Sequence, residues 1–94
     1  MDHAPKTVER VVEILNRQGL HARPVMKFVD LASEFSASIS VHKTTEKVDG
    51  KSPMEMMLLE APKGTLLHLT ATGFDAEEMV EALAQLVADG FGEE

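Results

Sequence analysis

The apolar period of this chain switches back and forth between that of a strand and that of a helix, and the order of the switches leaves few folds open. Ala22, Val25, Met26, Phe28, Val29, Ala32 and Phe35 recur close to every 3.6 residues, which predicts an amphipathic helix with one buried face. Before it, Thr7 to Leu15 is β-branched with charges interspersed, as in a half-exposed strand, and Asn16-Arg17-Gln18-Gly19 turns that strand into the helix. After it, Ser38 to Lys43 alternates, and a polar turn near Thr44-Thr45 leads to a second arm at Lys47-Val48-Asp49, which together predict a hairpin. Ser52, Pro53 and Glu55 supply an N-cap, an N1 proline and an N3 glutamate, a capping box opening a short helix from Pro53 to about Glu60. Pro62-Lys63-Gly64 stops it. Leu67, Leu69 and Ala71 then face one way while Leu66, His68 and Thr70 face the other, the mark of a fourth strand. Asp75-Ala76-Glu77-Glu78 repeats the capping pattern, and Met79, Val80, Leu83, Leu86 and Val87 form one face of a last helix ended by Gly90.

The predicted order is βαββαβα, an α+β chain. It fits an open-faced β-sandwich: a four-stranded antiparallel sheet with three helices packed on one face and the other face wet. Ninety-four residues make one domain, read as spanning 1–94 with residues 1–6 flexible, and 44% hydrophobic content suffices for a modest two-layer core. The chain has no cysteine, which excludes disulfides, thiolate nucleophiles and thiolate metal sites and suits a reducing cytoplasm. No signal peptide or bilayer-length apolar stretch is read, so the expectation is a cytoplasmic protein with no membrane partner. A net charge of −7 and the absence of Trp and Tyr argue against nucleic acid and for protein partners. Nothing in the sequence calls for a cofactor or metal; His3, His42 and His68 lack metal-ligand spacing, and the last two fit the polar face of the sheet.

The chemistry concentrates in Gly19-Leu20-His21-Ala22-Arg23-Pro24. His21 falls at the N-terminal boundary of the first helix, where backbone N–H groups lack intrahelical partners and the macrodipole is positive. That is a place for an anion. Arg23, in the same first turn, offers a cationic fork to phosphate oxygens, and Pro24 gives up an N–H the helix does not need. A histidine at a helix start is usually an ordinary surface residue; Arg23 beside it makes this one a candidate nucleophile that takes up a phosphoryl group. It is Arg23 together with the chain's family resemblance that favours this reading over the ordinary one.

On these residues, together with Lys51-Ser52-Pro53-Met54, Pro62-Lys63-Gly64 and Ala71-Thr72-Gly73-Phe74-Asp75-Ala76-Glu77, the chain resembles the HPr family, the histidine-containing phosphocarriers of the bacterial phosphotransferase system, including the nitrogen-branch paralogues. The resemblance covers nearly the whole chain. It implies that His21 accepts a phosphoryl group from an Enzyme I-type donor and passes it to an enzyme IIA-type acceptor, that Arg23 stabilises the phosphohistidine, and that Ser52 matches a regulatory position open to a serine kinase/phosphorylase. The chain would then be a monomeric covalent intermediate rather than an independent enzyme. Asp30, Ser33 and Glu55 stand where sugar-type carriers often place basic residues, and the acidic ending Gly90-Phe91-Gly92-Glu93-Glu94 leans toward the nitrogen branch.

Two of these sites have competing explanations. Helix capping fully accounts for Ser52, so regulation stands beside it as an equal reading. Met26, Met54 and Met57 are either core or, with Pro24 and Pro53, an adaptable partner-binding patch, the reading preferred here. The alternative function is a regulatory interaction module of the same fold, read by a kinase or transcription regulator through the phosphorylation state of His21 or Ser52.

Overall fold

The computed structural model describes residues 6–93. Its elements are β1 (Thr7–Glu13), α1 (Ala22–Ala32), β2 (Ser38–Lys43), β3 (Glu46–Asp49), α2 (Pro53–Met57), β4 (Leu66–Thr72), α3 (Ala76–Ala88) and a single 3₁₀ turn, Gly90–Gly92. The strands form one antiparallel sheet in the order β1-β4-β2-β3. This is the open-faced arrangement that the periodicity predicts. Of the expected flexible segment, residues 1–5 lie outside the described residues. Lys6 is held, its carbonyl accepting from Gly73 N–H at 2.9 Å and its ammonium meeting Glu77 at 3.1 Å.

One face of the sheet carries the core. Val12, Ile39, Val41, Leu67, Leu69 and Ala71 are buried there against Val25, Phe28 and Val29 of α1, Met56 of α2, and Met79, Val80, Leu83 and Val87 of α3. Area burial stabilises each larger side chain by roughly 1.5–3 kcal/mol and drives the layers together. The other face alternates out to solvent, and the register puts His42 opposite His68 on it. The Met26 and Phe35 ends of the predicted α1 stripe depart from the core: Met26 is 45% exposed, and Phe35 lies beyond the helix, partly buried.

Three expectations are corrected. Helix α2 ends at Met57 instead of running to Glu60. Its last turn tightens, with Leu58 N–H donating to Glu55 O and Leu59 N–H to Met56 O. This buries Leu59, puts Glu60 at a left-handed φ of 49°, and leaves carbonyls that Lys43 Nζ satisfies at 2.6 and 2.9 Å. The capping box is half formed. Ser52 Oγ accepts from Glu55 N–H at 3.2 Å, but the Glu55 carboxylate accepts from Asp49 N–H at 2.9 Å rather than from Ser52. Ser52 N–H is engaged by Asp49 O in the turn, and so is unavailable.

Asp75, expected to cap α3, makes no side-chain cap. Its two oxygens accept from Ser36 and Ala37 N–H, both at 2.8 Å, fastening the α1–β2 connection to the start of α3. The Ser36 amide, aided by that of Ala37 and the Lys51 charge against the cost of desolvation, holds the Asp75 carboxyl below its usual range. Lys51 Nζ completes the fastening on Phe35 O at 2.7 Å.

Candidate functional site

The β1–α1 loop sets where His21 stands. Asn16, buried at 2% exposure, closes the loop by donating from Nδ2 to Gly19 O at 2.7 Å, while Gly19 N–H donates to Asn16 O. Gly19 has a φ of +75°, and a Cβ there would lie 2.6 Å from Ala61 O and 2.8 Å from Pro62 Cα. Only glycine lets the loop lie flat on the segment after α2. Leu20 N–H then anchors to Ala61 O at 2.8 Å, and the chain enters α1 with His21 as its N-cap residue.

His21 has the extended backbone of an N-cap, and its carbonyl accepts the first helical bond from Val25 N–H at 3.0 Å, yet its side chain caps nothing. The imidazole is turned instead into an open pocket of about 420 Å³ lined by Arg17, Gln18, Arg23, Lys27, Gly92 and Glu93. Its Nε2 lies 3.1 Å from Glu93 Oε1, with the two side chains 36% and 17% exposed. Asn16 Nδ2 donates to the same carboxylate oxygen at 3.2 Å.

The bond from His21, opposed by desolvation and supported by Asn16 and the charges of His21 and Arg23, lowers the Glu93 pKa from its usual 4.5. Glu93 is therefore an acceptor near neutral pH. Nε2 carries the hydrogen, and in the neutral ring the Nδ1 lone pair is left free.

The tail that delivers Glu93 turns sharply. Gly90, Phe91 and Gly92 have φ of 64°, 58° and 74°, three consecutive left-handed residues, of which Phe91 is the unusual one because it bears a side chain. Phe91 is held there by full burial and by its carbonyl, which accepts from Lys27 Nζ at 2.6 Å. One α1 residue thus clasps the tail while another receives its carboxylate.

Of the residues the sequence singled out, the pocket contains His21 and Arg23. Ser52 stands apart from it, half-buried at the head of α2. Met26, Met54 and Met57 are 45%, 79% and 45% exposed, so none of them is core. Pro53 is exposed too. Pro24, expected with them on a docking surface, is buried in the first turn of α1 and offers no surface of its own. Asn16, Arg17, Lys27 and Glu93 went unread as site residues. The glycines bracketing Phe91 were the available signal that the tail turns back.

Among the described residues no helix is long and apolar enough to cross a membrane. The family model for the PTS HPr component phosphorylation site matches residues 8–89. The chain is 42% identical over 86 residues to phosphocarrier protein HPr of Neisseria meningitidis, covering 92% of this chain and 97% of the relative. It is 34% identical over 89 residues to phosphocarrier protein NPr of Escherichia coli, covering 94% and 99%. The crystal structure of an HPr from Thermoanaerobacter tengcongensis superposes with a TM-score of 0.89 at 46% identity, over 93% of this chain and 98% of that one. With the family model, the relatives and the fold agreeing, the chain belongs to the HPr family of phosphocarrier proteins.

Proposed function

We propose that this protein carries a phosphoryl group on His21, taking it from an Enzyme I-type phosphodonor and surrendering it to an enzyme IIA-type acceptor in the cytoplasm. The observation that carries this reading is the tie of Nε2 to Glu93 in a pocket that Arg23 also lines at the N-terminal end of α1; with the carboxylate accepting from Nε2, the lone pair of the neutral ring falls to Nδ1. In loading, the Nδ1 lone pair forms the bond to phosphorus as the bond to the donor's leaving atom breaks, and the electron pair of that bond leaves with the donor. The positive charge arising on the ring is met by Glu93 through the Nε2 proton. Unloading reverses these steps toward the acceptor. Arg23 offsets the charge of the phosphoryl oxygens in both directions.

The protein supplies no turnover of its own in this scheme; it is a monomeric covalent intermediate. Met26, Pro53, Met54 and Met57 form the surface that meets successive partners, since flexible thioethers repack against different faces. The relatives include HPr proteins at 42% identity and NPr proteins at 34%, and the acidic ending with the methionines of the second helix supports a nitrogen-branch reading. A regulatory role through Ser52 and a serine kinase is the second reading. It draws on the resemblance to Bacillus subtilis Crh, named as a catabolite repression HPr, at 39% identity and a TM-score of 0.64.

The deciding experiment incubates the protein with phosphoenolpyruvate and Enzyme I and follows intact mass. The parent gains one acid-labile phosphate, and His21→Ala gains none while keeping its fold. An acid-labile phosphate on the His21→Ala protein would remove His21 as the carrier.

A further inference from the structure

The chain has nine lysines and arginines against sixteen aspartates and glutamates, yet three of the nine, Arg17, Arg23 and Lys27, line one pocket beside His21. Of the other six, Lys6, Arg10 and Lys43 are paired with Glu77, Glu81 and Glu46, while among the described residues Lys47, Lys51 and Lys63 have no carboxylate within ion-pair distance. Among the described residues none of the three pocket cations has a carboxylate partner within ion-pair distance. Among the described residues Glu93 is the carboxylate in this lining, three positive charges against one negative, and Glu60 lines a second pocket that shares Gln18 and His21. An attached phosphoryl group brings roughly two negative charges. Counting the positive charge that loading puts on the ring, Arg23 alone would leave the pocket about one charge negative, whereas all three cations leave it about one charge positive.

We propose that Arg17 and Lys27 join Arg23 in holding the phosphoryl group on His21, so that the pocket is a three-cation cradle for one phosphoryl dianion. This rests on the reading of His21 as the carrier. Arg17 reaches the pocket from the β1–α1 loop, opposite the helix that supplies Arg23, and is exposed and unbonded to any described residue, so its fork is free for oxygens. Lys27 stands one helical turn beyond Arg23. Its bond to Phe91 O uses one of three ammonium donors and fixes where the other two sit. Both residues steady the phosphoryl group and, by disfavouring protonation of the ring beneath it, slow hydrolysis. In that hydrolysis water attacks phosphorus, the P–N bond breaks with its electron pair going to the protonated ring, and inorganic phosphate leaves.

Potassium phosphoramidate tests this without any partner protein. Nδ1 attacks phosphorus, the donor's P–N bond breaks, and ammonia leaves with the pair. The parent, Arg17→Gln, Lys27→Met, Lys27→Arg and the control His21→Ala are loaded, and loss of phosphate is followed by intact mass across pH. Arg17→Gln and Lys27→Met should each lose phosphate about two- to fivefold faster than the parent near neutrality, the scale of a partly exposed ion pair. Their acid-catalysed limb should lie at higher pH, and Lys27→Arg should restore parental behaviour. Such a displacement of the pH profile is not the effect of a merely structural residue. Parental lifetimes and profiles in Arg17→Gln and Lys27→Met would overturn the cradle and leave the carrier reading intact. A parent that takes no phosphate, or takes it equally in His21→Ala, would overturn both.

Discussion

Helices α1 and α2 both start from an extended residue, and only one of those residues spends its side chain on the helix. Ser52 Oγ accepts from the Glu55 amide, and Glu55 in turn holds Asp49 N–H, so the head of α2 is closed with its own side chains. His21 takes the same backbone position at the head of α1 and gives its ring to Glu93 and the pocket. One helix end is finished for stability. The other keeps its first amides and its dipole available to an anion, at a cost in capping energy of about 0.5–2 kcal/mol.

The strongest way to break this contrast is to turn the head of α1 into one like that of α2. His21→Ser should abolish phosphate loading outright, yet be no less stable than the parent, because a new cap worth about 1 kcal/mol offsets the lost contact with Glu93. Thermal unfolding beside intact mass checks both halves, and a clearly destabilised variant would show that the ring, rather than an uncapped end, belongs to the helix's stability.

The next effect in size lies at α2. Ser52→Ala should lose about 1 kcal/mol of stability by chemical denaturation while loading phosphate at the parental rate. Ser52→Asp keeps a cap acceptor and should hold its stability. If Ser52 is a regulatory switch, the added charge beside Glu55 weakens binding to the phosphodonor, measured by titration at low and moderate salt. Parental binding of Ser52→Asp at both salts would reduce Ser52 to a helix cap.

The smallest effect concerns the tail. Glu93 has its pKa lowered in the fold, so its contact with His21 adds stability above the ordinary glutamate value of 4.5 and loses it as pH falls through the lower, folded value. The stability difference between the parent and Glu93→Gln should therefore be seen at neutral pH and shrink in acid below that value. A difference that stays constant down through the acid range would mean that the carboxylate's charge is not what holds the tail.

How much of this was readable beforehand follows from distance along the chain. The four strands and three helices are local patterns, each declared by residues within a few positions of one another, and they appear in the predicted order, with the second helix shorter than its pattern; the His21-Arg23 pair is a local motif that the structure places in one pocket. Asp75 was read as a local cap because its neighbours look like one. The Ser36 and Ala37 amides that it serves come from 39 and 38 positions away, and no local pattern announces them. Helix α2 stopped early because buried Leu59 and the distant Lys43 ammonium favoured a tight turn over another helical one. In the sequence Glu93 belongs to an acidic ending, Arg17 to a turn, and Lys27 carries no local sign of a site. Only when α3 brings the tail back over α1 do the three share one pocket.

That last closure has a consequence for the order in which the protein becomes competent. His21 and Glu93 are 72 positions apart. A chain emerging from the ribosome, at about 5–20 residues per second, presents His21 and Arg23 seconds before the segment that reaches Glu93. Through that interval the imidazole is a bare ring on an unfinished sheet, with Nε2 unclaimed and neither nitrogen singled out. The contact that ties Nε2 to Glu93 therefore forms only once α3 has packed and the turn at Phe91 is in place, and on the proposed carrier reading the histidine is complete only then.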